Sequence, residues 1–157
     1  MSKGFYSAQD GHIVNLIPAV NITGGVTGAV FSMADYAHAS IIVQIGVSAA
    51  APTAIIVNAC TNAAAAGATA IPFNLFACET GAGDVLGARV SVLAAGYVPS
   101  AVDNIFYVIE LSAAMLPQGS PYVQLSITNG ANSVIASAVA VLSGARYASD
   151  QSATVLL

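Results

Sequence analysis

From position 36 to position 47 the chain reads YAHASIIVQIGV. Ile41, Val43, Ile45 and Val47 fall on one side of an extended backbone, and Ser40, Ile42, Gln44 and Gly46 on the other. A period of two is that of a pleated strand. Two further β-like runs follow, at 53–60 and 69–78, with the low-complexity spacer AAAAGA at 63–68 between them. Six residues dominated by alanine are too few to hold a helix, and Gly67 interrupts them, so the spacer reads as a connection. Pro72, early in the second run, predicts an edge or a bulge.

The same alternation recurs elsewhere. Residues 12–17 (HIVNLI) predict a first strand that Pro18 stops, followed by a Gly/Thr loop at 21–28 and a short strand at 29–32. Residues 89–93 predict another short strand, flanked by a glycine-rich loop at 79–87 and a loop at 94–103. In residues 104–111 (NIFYVIEL), Ile105, Tyr107, Ile109 and Leu111 share one face, and in 121–128 (PYVQLSIT) Val123, Leu125 and Ile127 point inward. Ser112 is placed to cap a single helical turn that Pro117 ends. Asn129-Gly130 sits between the run at 121–128 and another at 133–143, which predicts a type I′ hairpin. Asp10-Gly11 marks a turn in a polar arm at 1–11, expected to be loose or a short hairpin.

Eight or nine strands, no helix beyond a turn and loops of irregular length predict an all-β protein. The architecture expected is an antiparallel β-sandwich, jelly-roll-like or immunoglobulin-like. Residues 1–28 form an N-terminal arm and first strand leading into the domain, and 29–157 a single sandwich domain with a C-terminal tail.

Composition sharpens this picture. A chain of 157 residues can bury about 70% of its unfolded surface in one core. Charged residues make up only 6%, against roughly 25% in ordinary soluble proteins. From Tyr36 to Cys78 there is no Asp, Glu, Lys or Arg at all. Such a chain either enters a membrane or has much of its surface covered by other subunits. The most apolar window, 41–57, contains Gln44, Ser48, Pro52 and Thr53 and has no flanking Lys or Arg, so it reads as two strands and a loop and not as a span. No membrane partner is expected. Residues 1–10 hold one lysine and no apolar leader region, so synthesis in a cytosol is expected, with Cys60 and Cys78 as thiols. Net charge is −4 with 3 Lys and Arg in total, too few to neutralise phosphates, so no nucleic-acid partner is expected.

Candidate chemistry is thin. His12 or His38 with Asp35 could complete a serine-based arrangement, but no Gly-x-Ser-x-Gly elbow occurs, and His38 reads as a hydrogen-bonded structural residue. Glu79, Asp84, Asp103 and Glu110 could in principle pair for glycoside hydrolysis or gather Ca²⁺, but no Asp-x-Asp-x-Asp spacing is present. The glycines of 81–87 miss the phosphate-loop spacing and precede no helix. No catalytic residues, cofactor or metal are expected, and the protein is read as non-enzymatic.

Four segments taken together resemble a group of small structural proteins of tailed bacteriophages. They are residues 30–47 (VFSMADYAHASIIVQIGV), 79–89 (ETGAGDVLGAR), 107–111 (YVIEL) and 142–147 (LSGARY). The resemblance spans most of 29–150. It departs from the group after Cys60, where an alanine run replaces a polar, acidic spacer. It implies a virion component made in the host cytoplasm: a capsid decoration (cement) protein that binds and stabilises the phage head. The partners implied are the major capsid protein and further copies of itself. A homo-oligomer is expected, with a trimer leading because cement proteins often sit near threefold positions of a shell. The low charge fits a subunit whose surface is shared with neighbours. The subunit contact is expected to draw on Tyr36, His38, Ile42 and Gln44 of the central strand and on Arg146 and Tyr147 of the tail. The alternative is a tail- or fibre-associated sandwich that grips a host surface glycan through loops 79–87 and 94–103, although these offer Tyr97 and no Trp for stacking on a sugar.

Overall fold

The computed structural model describes residue 4 and residues 6–146. Ten strands run in order β1 (His12–Asn21), β2 (Val26–Ser32), β3 (Tyr36–Ser48), β4 (Ala54–Cys60), β5 (Thr69–Ala70), β6 (Phe73–Cys78), β7 (Val90–Val92), β8 (Ile105–Ser112), β9 (Tyr122–Thr128) and β10 (Val134–Ala145). They form a six-stranded sheet, β1-β10-β3-β8-β6-β7, and a four-stranded sheet, β2-β9-β4-β5. Every pairing is antiparallel.

The connectivity is that of one long hairpin rolled up. β1 pairs with β10, β2 with β9, β3 with β8 and β4 with β5, and successive pairs fall alternately in the larger and the smaller sheet. This is a jelly roll, which decides between the two sandwich types expected. The β6–β7 hairpin is inserted after the innermost pair and widens the larger sheet beyond β8.

The inner faces are those that the alternation marks. Ile41, Val43 and Ile45 of β3 and Ile105, Tyr107, Ile109 and Leu111 of β8 are buried in one cluster with Ile55 and Val57 of β4 and Val123, Leu125 and Ile127 of β9. Each such side chain contributes about 1.5–3 kcal/mol by leaving water. Ser112 accepts a hydrogen bond from the Ala114 amide and caps the single 3-10 turn Ala113–Met115, as its position predicts.

Several local expectations are corrected. Pro18 does not end β1; the strand continues to Asn21, with register shifts between Asn15 and Ile17 and between Ile17 and Val20. β1 is an edge strand, where a bulge absorbs a residue that has no N–H to give. Residues 12–28 supply β1, in the larger sheet, and the start of β2, in the smaller. Val47 is 64% exposed, not inward. Between Ile45 and Ser48, β3 holds one more residue than β10 does between Ala136 and Val134, and this bulge turns Val47 out. The run at 69–78 is two strands: Pro72 stands where the chain leaves β5 in the smaller sheet for β6 in the larger.

Asn129-Gly130 is not a hairpin turn, because β9 and β10 lie in different sheets. Neither residue has positive φ; the Asn129 amide instead donates to the carbonyls of Ile22 and Asn132 and ties two loops together. The described part of the arm at 1–11 forms one helical turn, Ser7–Asp10, instead of a hairpin. The spacer at 63–68 is a connection as expected, shaped by the Asn62 carboxamide, which accepts from the Ala64 and Ala66 amides.

Candidate functional site

The larger sheet has one face on the core and one turned outward. Because β3, β10 and β8 are long and in register, their outward side chains align in rows across the strands. One row runs Asn15–Val139–Ile42–Val108–Phe76 over β1, β10, β3, β8 and β6. The row beside it runs Ile13–Val141–Ser40–Glu110–Asn74. On the other side lie Ser137, Gln44 and Phe106. The result is a nearly continuous aliphatic and aromatic band with Ile42 at its centre. Ile42 is 37% exposed, Ile13 51% and Ile135 41%, while Val139, Val108, Phe76 and Phe106 are half-buried.

At the border of the band His38 and Glu110 meet. His38 Nε2 lies 2.7 Å from Glu110 Oε2, and the Ser40 hydroxyl donates to the same oxygen at 2.8 Å. With the proton on Nε2, Nδ1 accepts from the Ser143 hydroxyl at 3.4 Å. A partly exposed pair of this kind adds little to stability, but it leaves the carboxylate and the imidazole satisfied within one protomer. The serine contact is long, and the group lies beside a shallow depression of about 170 Å³ and not in a cleft. This arrangement fits a hydrogen-bonded histidine better than a base that activates a nucleophile.

The other acids are held separately. Glu79 Oε1 accepts from the Tyr97 hydroxyl at 3.0 Å and from the Tyr107 hydroxyl at 2.9 Å, and the Tyr107 oxygen accepts from the Ser100 amide at 2.9 Å. The two rings are tilted against each other with centroids 5.4 Å apart. Burial, helped by the neighbouring Glu79 carboxylate, pushes both phenols above their ordinary value of 10.0, and at Tyr107 it outweighs the opposing pull of the Ser100 amide. Asp103 accepts from the Ser48 amide at 2.8 Å, and Asp84 is exposed. Among the described residues no group of three or more His, Cys, Asp or Glu is placed to hold a metal ion, and no helix is long and apolar enough to cross a membrane. Cys60 and Cys78 are buried free thiols; burial pushes the Cys60 thiol up.

Of the residues expected at a subunit contact, His38, Ile42 and Gln44 share the outer face of β3. Tyr36 does not join them. It is buried, stacked on His12 at 5.8 Å between ring centroids, and offers no surface to a neighbour. By position it shares the parity of His38 and Ile42, but at the start of β3, three residues before Ala39, it is buried where they are not. Arg146 is exposed at the end of β10, where its amide donates to the Asp35 carbonyl, and it borders a depression of about 370 Å³ that includes Met33, Leu116 and Pro121. Tyr147 lies outside the described residues.

Sequence reasoning missed the His38–Glu110 and Glu79–Tyr97–Tyr107 groups. Their members are separated by up to 72 positions in the first case and 28 in the second, and only the pairing of β3 with β8 and the packing of two loops unite them. The fold and this face together define a jelly-roll β-sandwich in which, among the described residues, no further layer covers the outer side of the larger sheet. No protein-family model and no curated protein matches the chain.

Proposed function

We propose that the protein is a non-enzymatic structural component of a bacteriophage virion, a decoration protein that binds the capsid surface and stabilises the head. The observation that carries this reading is the outer face of the larger sheet, an apolar band centred on Ile42 whose two ionisable groups, His38 and Glu110, satisfy each other. A contiguous apolar surface of this extent marks an interaction site. It suits assembly better than capture of a small polar ligand, which needs a concave site with convergent polar groups. The jelly roll is an architecture used by capsid domains, among many others, and supports the reading by analogy. The resemblance of residues 30–47, 79–89, 107–111 and 142–147 to phage structural proteins points the same way.

The glycan-binding reading ranks second. Tyr97, the aromatic residue it relies on, is half-buried and turned to Glu79 and Tyr107, not presented as a flat platform. Quantified protein bands from purified particles test the proposal. A copy number near that of the major capsid protein is expected. A handful of copies per particle would move the protein to the tail, and its absence from particles would overturn the virion role.

A further inference from the structure

We propose that the outer face of the larger sheet packs against the same face of a second copy, in a two-fold dimer with Ile42 near the axis. This rests on the reading of that face as an assembly surface and names its occupant. Three observations select a copy of this chain over a chemically different partner.

The first is shape. The face is a regular sheet of long strands, and two twisted sheets of the same hand pack face to face about 10 Å apart with strand directions within about 30°. A sheet face is therefore complementary to itself without any special contour.

The second is charge. The protein carries 7 acidic residues against 3 basic ones, so copies repel in general. Of the described acids, Glu110 stands in the outward rows themselves, and His38 and Ser40 already engage it. Glu79, Asp84 and Asp103 sit in loops, Asp103 tied to the Ser48 amide at the end of β3; Asp35 directly precedes β3, and Asp10 ends the helical turn before β1. With Ile42 at the axis, the Glu110 carboxylates of the two copies fall on opposite sides of it, each one strand and two residues away from Ile42, and each is already hydrogen-bonded within its own protomer.

The third is extent. Five strands spaced about 4.8 Å apart, followed for about eight residues at about 3.4 Å each, give a face of roughly 600 Å². Two such faces bury roughly 1,200 Å², the lower limit of a stable specific interface. The sheet edges offer less: β7 has 3 residues, and β1 is broken by irregularities around Pro18. Both are devices that block edge-to-edge association.

The test is the mass of the full chain in solution by light scattering and sedimentation across micromolar concentrations. A dimer is expected. Ile42→Lys places an unpaired ammonium in the contact and weakens the dimer at least about a hundred-fold. Ile42 is partly exposed in the protomer, so this variant keeps its strand circular dichroism. Val98→Lys, a change at an exposed apolar residue in the loop that lies along β4 of the smaller sheet, leaves the dimer intact. A residue near a two-fold axis meets its own copy, so Ile42→Cys forms a covalent dimer on mild oxidation while Val85→Cys does not.

A monomer at all concentrations would overturn the proposal, as would a dimer indifferent to Ile42→Lys. A trimer would also overturn it, since a threefold contact joins two different patches. Each result stands apart from the particle-composition test, because a monomer in solution could still be abundant in virions.

Discussion

Gly96 is the position at which a single methyl group should do most damage. Its φ is +93°, and a Cβ built on it would lie 2.6 Å from the Ile55 carbonyl oxygen and 2.8 Å from Ile56 Cγ1. The close approach exists because residues 96–98 lie along the first half of β4, where Tyr97 and Ile55 exchange both backbone hydrogen bonds at 2.7 and 2.9 Å. β5 covers only Asn58 and Ala59, so this loop completes the edge of the smaller sheet. Gly24 isolates the conformational part of the cost: its φ is +81°, and nothing lies within 4 Å of an added Cβ. Gly24→Ala should therefore cost about 1 kcal/mol, the penalty of a left-handed backbone for an L-residue. Gly96→Ala carries that penalty and must also push the loop off β4. Losing both Ile55–Tyr97 bonds at about 1 kcal/mol each raises the total to about 3 kcal/mol. Urea unfolding should show the midpoint of Gly96→Ala lowered by about 1–1.5 M and that of Gly24→Ala by about a third as much, with unchanged slopes. Equal midpoints for the two variants would refute the steric contact and with it the placement of the loop on β4.

Tyr107→Phe removes an acceptor from the Ser100 amide and a donor from Glu79, and chemical denaturation should show a loss of about 1–3 kcal/mol. Because burial raises the Tyr107 pKa in the folded state, its contribution is intact below pH 10.0, the ordinary phenol value, and is lost as pH rises further; wild-type stability should fall above that pH, and less steeply in Tyr107→Phe. Asn129→Asp turns a donor shared by two carbonyls into an acceptor and should cost about 2 kcal/mol, whereas Gly130→Val, at a position with nothing within 4 Å, should leave the melting temperature unchanged. Reducing agent should not alter the melting temperature, and a thiol reagent should titrate Cys60 and Cys78 only after unfolding, since both are buried and free.

The alternation of apolar residues determined a good deal by itself. It placed β3, β4, β8 and β9 and assigned Ile41, Val43, Ile45, Tyr107, Ile109, Val123, Leu125 and Ile127 to the core, because period two translates directly into which face a side chain takes. The scarcity of charge between Tyr36 and Cys78 singled out β3, whose outward residues Ile42 and Gln44 do lie on the surface. Alternation says nothing about lateral neighbours, and those were decided by tertiary structure alone. Asn129-Gly130 has the local chemistry of a tight turn, but packing β10 between β1 and β3 sends the chain to the other sheet. Pro72 interrupts one apolar run because its two halves bury themselves in different sheets. His38 and Glu110 meet, and Val139, Ile42, Val108 and Phe76 align, only through the register of four strands drawn from distant parts of the chain. Inward or outward orientation is a local property of an extended backbone; a surface is made by which strands lie side by side, and that is fixed by the sum of contacts across the whole core.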